Sequence, residues 1–116
     1  MTTAHQNYVG GQWVPAAGGA TFEDRNPADE RDLIATFPAS GDIDVAAAVA
    51  DLTAAWPAWG AASPEVRADV LFKAADIMAR RADEIANELT REEGKTRTEA
   101  RAEARRIAAN FRLYAG

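Results

Sequence analysis

With 116 residues, thirteen Lys and Arg against eighteen Asp and Glu, and a net charge of −5, the chain has room for one domain and is too acidic to favour nucleic acid or an anionic membrane. Zero cysteines exclude disulfides, thiolate metal ligation and a thiol nucleophile within it. The hydrophobic content of 47% is rich in alanine, which favours helix but buries little apolar area, so any core is thin for this length.

Residues 1–7 (Met-Thr-Thr-Ala-His-Gln-Asn) are polar, lack the apolar centre of a signal peptide, and read as a disordered tail. The one histidine, His5, lies there, and a mobile tail cannot hold the geometry of a catalytic or metal-ligating group. Tyr8-Val9-Gly10-Gly11-Gln12-Trp13-Val14 predicts two short strands about a Gly-Gly turn. Pro15 to Ala20 is a Gly- and Ala-rich loop, and Thr21 to Arg25 predicts a strand ended by Asn26-Pro27. Asp32 to Phe37 predicts another strand, closed by Pro38. Residues 8–38 thus read as a short antiparallel β segment and residues 39–116 as three to four α-helices.

The first helix starts at Ser40-Gly41-Asp42, where acidic Asp42 and Asp44 suit the positive end of the dipole. Val45, Val49, Leu52, Trp56 and Trp59 form one apolar stripe, Pro57 predicts an end or kink, and Gly60 punctuates the end of the helix. Ser63-Pro64 opens the second helix as N-cap and N1, with Val70, Leu71, Ala74, Ile77, Met78, Ile85 and Leu89 as its stripe. A break is placed near Arg81-Ala82-Asp83, with Asp83 capping the second part. Gly94 stops the run, and Thr96 with Glu99 predicts a capping box for a last helix whose face is Ala100, Ala104, Ile107, Phe111 and Tyr114 or Ala115. No stretch approaches the length of a transmembrane helix, and a cytoplasmic chain is expected.

The stretch "EEGKT" at residues 92–96 ends as a Walker A loop ends. That loop is G-x-x-x-x-G-K-[ST], because several backbone N–H groups must wrap phosphates along a path only glycine tolerates. Leu89 stands where the first glycine belongs, Glu92 and Glu93 would repel phosphate, and helix replaces the strand that should lead in. Gly94 therefore reads as a left-handed helix-ending residue, with Lys95 at the negative end of the dipole, and no ATP or NAD binding is expected. Arg101, Arg105, Arg106 and Arg112 cluster, but Glu99 and Glu103 interleave, as on a solvated, salt-bridged helix face. Composition and spacing supply no catalytic constellation, no cofactor-binding residue and no metal ligand set.

"YVGGQWV", "FEDRNPADERDLIATFP", "VAAAVADLTAAWPAW", "SPEVRADVLFKAADIMARRADEIANELTREEGKTRTEAR" and "FRLYAG", in this order, resemble the opening of an NAD(P)-dependent aldehyde dehydrogenase from Tyr8 to Gly116. "NPADERDLIATFP" and "TREEGK" are similar to the semialdehyde-oxidising members, including those acting on ketoglutarate semialdehyde. Asp29-Glu30-Arg31 departs from the family's Gly-bearing turn after Asn-Pro, so a turn of another type is expected there.

The resemblance implies an α/β parent fold, with residues 39–116 as part of its cofactor-binding domain and NAD or NADP bound by the complete enzyme. It implies an N-terminal fragment, inactive alone, whose partners are the remainder of the dehydrogenase chain and further copies in a homo-oligomer, with neither nucleic acid nor membrane. The family's cysteine nucleophile, its general-base glutamate, its oxyanion-holding asparagine and its dinucleotide-binding strands all lie beyond the matched stretch, so none maps onto a residue here. A monovalent-cation site of some members would place an acidic residue at Glu92 and main-chain carbonyls near Arg25, with a further ligand beyond Gly116. The alternative is a self-standing helical interaction module without catalysis.

Overall fold

The computed structural model describes residues 3–116. It divides into two compact units, Met1–Ala61 and Ala62–Gly116. The division falls inside the region 39–116 expected as one helical segment, because the first helix groups with the strands.

The first unit holds β1 (Thr3–Ala4), β2 (Asn7–Val9), β3 (Gln12–Val14), β4 (Thr21–Arg25), β5 (Leu33–Pro38) and α1 (Asp42–Ala61). Strands β2 and β3 form the expected hairpin, with Tyr8 opposite Trp13. Gly10 and Gly11 sit at φ 59° and 76°, the pair of left-handed residues that a type I′ turn needs. β4 and β5 are antiparallel, with Phe22 opposite Phe37 and a register shift between Asp24 and Arg25. The sheet order is β1-β5-β4, and β1 lies parallel to β5.

The expected disordered tail over residues 1–7 is thereby corrected. Thr3–Ala4 pairs with Ala35 and Thr36, the His5 N–H donates to the Thr36 carbonyl at 2.9 Å, and Asn7 opens β2. Residues 1 and 2 lie outside the described residues. Polarity hid this strand because it is an edge strand, held by backbone bonds that any side chain permits.

The turn after Asn26-Pro27 needs no glycine. The Asn26 side chain accepts from Ala28 N–H at 2.9 Å, the Asn26 backbone carbonyl accepts from Asp29 N–H at 3.1 Å, and among the described residues no non-glycine residue has positive φ. A second turn follows, with Asp32 N–H donating to the Asp29 carbonyl at 2.8 Å.

Helix α1 runs through Pro57 and stops at Ala61, one residue past Gly60, so Pro57 does not end it. One turn earlier the Thr53 hydroxyl donates to the Val49 carbonyl at 2.7 Å, and the Trp56 ring lies beside Gly60, where a methyl group would meet it at 3.8 Å. None of α1 is buried. Two carboxylates on it hold the loops: Asp51 accepts from Gly10 N–H at 3.0 Å, and Asp44 accepts from Ala17 N–H at 2.7 Å and from Gly41 N–H at 2.9 Å.

The second unit is α2 (Pro64–Arg80), α3 (Ala82–Glu93) and α4 (Arg97–Ala115). The caps follow the sequence. The Ser63 side chain accepts from Val66 N–H, Gly94 closes α3 at φ 72°, and Thr96 with Glu99 forms the capping box. The break at Arg81 is present, but Asp83 does not cap α3: Arg81 takes the N-cap position, with no side-chain cap bond. The core is alanine, with Ala86, Ala100 and Ala104 packed together and Ala82, Ile85 and Leu89 against them. On α4 the buried stripe is Ala100, Ala104 and Ala108, whereas Ile107 and Phe111 are half-buried and Tyr114 is exposed.

Candidate functional site

The Gly94-Lys95 turn is a structural junction. Gly94 N–H donates to the Thr90 carbonyl at 3.1 Å, and Lys95 Nζ reaches Glu93 at 2.6 Å and also pairs with Glu103 of α4. These bonds, Glu103 first and Glu93 second, raise the Lys95 pKa above its ordinary value, and Lys95 holds the Glu103 carboxyl below its own. A nucleophilic lysine needs the opposite shift. The cleft beside it, about 380 Å³ and lined by Lys95, Glu99, Glu103 and Arg106, has its cations and carboxylates matched, with Arg106 bonded to Glu103 at 3.2 Å. A phosphate entering there would meet neutralised charge and two carboxylates.

His5 is held rather than mobile. Its ring stacks on Phe37 at 4.7 Å between centroids. Glu92 lies in the last turn of α3, in the second unit, and Arg25 ends β4, in the first. Arg25 is engaged by Glu23 and by the Glu30 carbonyl at 2.8 Å. Among the described residues no group of three or more His, Asp or Glu could hold a metal ion.

The glycines at positive φ are Gly10 and Gly11 in the β2–β3 hairpin, Gly19 in a loop and Gly94 at a helix C-terminus, and the strand-to-helix connection from β5 to α1 carries the single glycine Gly41 rather than a glycine-rich run. Among the described residues no helix is long and apolar enough to cross a membrane.

What the structure leaves open is apolar surface. Val45, Val49, Leu52 and Trp56 line one face of α1, and Leu52 and Trp56 are 68% and 66% exposed. Two arginines of α4 find partners on the neighbouring helices: Arg101 binds Asp83 of α3 at 3.0 Å and Arg112 binds Asp76 of α2 at 2.8 Å. The expected salt-bridged face is present, but two of its ion pairs tie helices to each other, which spacing along one helix could not reveal.

The family model for the aldehyde dehydrogenase family matches residues 13–116. An α-ketoglutarate semialdehyde dehydrogenase of Haloferax volcanii is 38% identical over 114 residues, 98% of this chain and 24% of that protein. An α-ketoglutaric semialdehyde dehydrogenase of Bacillus subtilis is 40% identical over 110 residues, 95% of this chain and 22% of that one. The crystal structure of an NAD-dependent aldehyde dehydrogenase from Sinorhizobium meliloti superposes with a TM-score of 0.94 at 31% identity, covering 100% of this chain and 24% of that structure. The chain spans about a quarter of the length of the relatives it matches.

Proposed function

This chain belongs to the aldehyde dehydrogenase family, and from that membership we propose that it serves as the N-terminal scaffold of a semialdehyde dehydrogenase. The parent reaction is oxidation of a semialdehyde to the carboxylic acid with NAD or NADP, in a cytoplasmic homo-oligomer. Similarity to α-ketoglutarate semialdehyde dehydrogenases of two organisms supports that substrate class. In this reading residues 39–116 form part of the parent's cofactor-binding domain, and the rest of the dehydrogenase is their partner.

The exposed stripe of α1 carries the reading. Val45, Val49, Leu52 and Trp56 repeat at helical spacing yet meet solvent. Burying such a side chain contributes about 1.5–3 kcal/mol, so a stripe of four is a surface made to be covered. The chain supplies no reacting group: it has no cysteine, and its Lys95 is held protonated. Its contribution is to pack, and so to fix the positions of groups it does not carry.

A chimaera tests this. Residues 1–116 replace the matching segment of the Bacillus subtilis relative, and NAD(P)H formation from semialdehydes is followed. We expect turnover by the chimaera and none by the isolated chain. A soluble chimaera that neither binds cofactor nor turns over, beside an isolated chain that is a compact monomer, would overturn the scaffold and favour the interaction module.

A further inference from the structure

A cleft of about 420 Å³ opens between α2, the start of α3 and α4, and four arginines line it: Arg80, Arg101, Arg105 and Arg112. Arg101 and Arg112 pair with Asp83 and Asp76 at 3.0 and 2.8 Å. Arg80 and Arg105 make no ion pair among the described residues. With two carboxylates set against four guanidinium groups, the cleft keeps two uncompensated positive charges. Asp83, in the first turn of α3, also lines it and is the one carboxylate among the lining residues.

We propose that this cleft binds a phosphoryl dianion, as inorganic phosphate, pyrophosphate or the phosphate of a small metabolite. Charge and shape select it. Guanidinium forks from two helices, Arg80 on α2 and Arg101, Arg105 and Arg112 on α4, suit a tetrahedral group with several acceptor oxygens, whereas a planar carboxylate occupies one fork. The remaining lining is alanine, with no aromatic ring to stack a base, so the recognised group is the phosphoryl and not a nucleoside. The site rests on residues 62–116 alone, and it stands or falls independently of the dehydrogenase reaction.

Calorimetry on the full chain at low salt tests it, with phosphate, pyrophosphate, ADP and glutarate as separate titrants. Saturable binding is expected, with pyrophosphate tighter than phosphate, ADP no tighter than pyrophosphate, and glutarate weaker than pyrophosphate by roughly tenfold or more. The source of the phosphoryl is read from the phosphate and pyrophosphate arms. The pair Arg80→Gln and Arg105→Gln should weaken pyrophosphate by roughly tenfold or more, while Arg97→Gln, outside the cleft, leaves it within about twofold. The pair Arg80→Lys and Arg105→Lys keeps the charge, loses the forks and should fall between. Absence of saturation at millimolar pyrophosphate, equal loss in the Arg97 variant, or glutarate matching pyrophosphate would each overturn the proposal.

Discussion

The two units of this chain solve the same shortage in different ways. Residues 62–116 carry eleven of the thirteen basic residues and ten of the eighteen acidic ones, whereas residues 1–61 carry two and eight. The helical unit turns that balance into ion pairs between helices and interlocks five buried alanines: Ala75, Ala86, Ala100, Ala104 and Ala108. The first unit buries only Ala16 and Ala35 among the described residues, and spends its acidic side chains on loop N–H groups, through Asp44 and Asp51. An alanine contact can close on itself, because little side chain stands between the helices. A stripe of Val, Leu and Trp cannot do so without a second surface. The helical unit is thus nearer to self-sufficiency, and the first unit is the one that needs covering.

The largest expected effect follows from that need. The isolated chain should show strong helical far-UV dichroism, weak near-UV tryptophan bands and a scattering mass above monomer. All three tryptophans (Trp13, Trp56 and Trp59) lie in the first unit, so the near-UV signal reports that unit alone. Leu52→Glu with Trp56→Glu should return the mass to monomer while far-UV dichroism survives. A compact wild-type monomer with sharp tryptophan bands and a cooperative melt would erase the difference between the units.

Core substitutions probe the contrast from the other side. Ala104→Leu inserts three heavy atoms where no space is exposed, and overpacking of that kind costs about 1–3 kcal/mol. Ala54→Leu, on exposed α1, should change stability by no more than about 0.5 kcal/mol. Helical melts of the two variants decide it. Equal shifts would mean that the alanine seam is not the core of the second unit.

The features legible in the sequence are those fixed within one turn of the chain. Ser63, Gly94 and the Thr96–Glu99 box lie within three or four residues of the groups they satisfy, so their chemistry is visible locally. The hairpin at Gly10-Gly11 is readable for the same reason. Features set by distant residues were not. The strand Thr3–Ala4 exists because β5 lies beside it, thirty-two positions on. On α4, hydrophobicity favoured Ile107 and Phe111, but close helix packing selected Ala108. Helix α1 continues through Pro57 to Ala61, although proline removes one backbone donor from its ladder. The arginine cleft draws on three helices, and the sequence showed only the α4 arginines and their acidic neighbours.

Two glycines refine the comparison with a smaller effect. Gly94→Ala forces a side chain to φ 72° and Gly10→Ala to φ 59°, each costing about 1–2 kcal/mol. At Gly10 the added methyl also meets Asp51 Oδ1 at 3.4 Å, against the carboxylate that holds the hairpin. Gly94→Ala should lower the far-UV melt and leave the tryptophan signal unmoved, and Gly10→Ala should do the reverse. Variants that move both signals together would mean the units unfold as one.

The smallest effect is the most selective. In the first unit the Gly41 and Ala17 N–H groups hold the Asp44 carboxyl below its ordinary pKa. In the second, Lys95 does the same to Glu103, and Glu103 with Glu93 raises Lys95. A depressed carboxyl contributes stability that is present above its unfolded pKa and lost as pH falls through the folded one, so acid below the ordinary carboxylate range weakens both units. A raised lysine contributes stability that is fully present below its unfolded pKa and lost as pH rises through the folded one. Alkali above the ordinary lysine range therefore releases only the α3–α4 clasp. These groups are half-buried at most and screened by solvent, so each contributes little stability. A pH titration should show tryptophan fluorescence and helical dichroism falling together in acid, and the dichroism alone falling in alkali. Lys95→Gln should remove the alkaline step and leave any tyrosine ionisation in place. Asp44→Asn should reduce the acid step in fluorescence only. A tryptophan response in alkali that survives Lys95→Gln would show that the first unit holds a base-sensitive contact of its own.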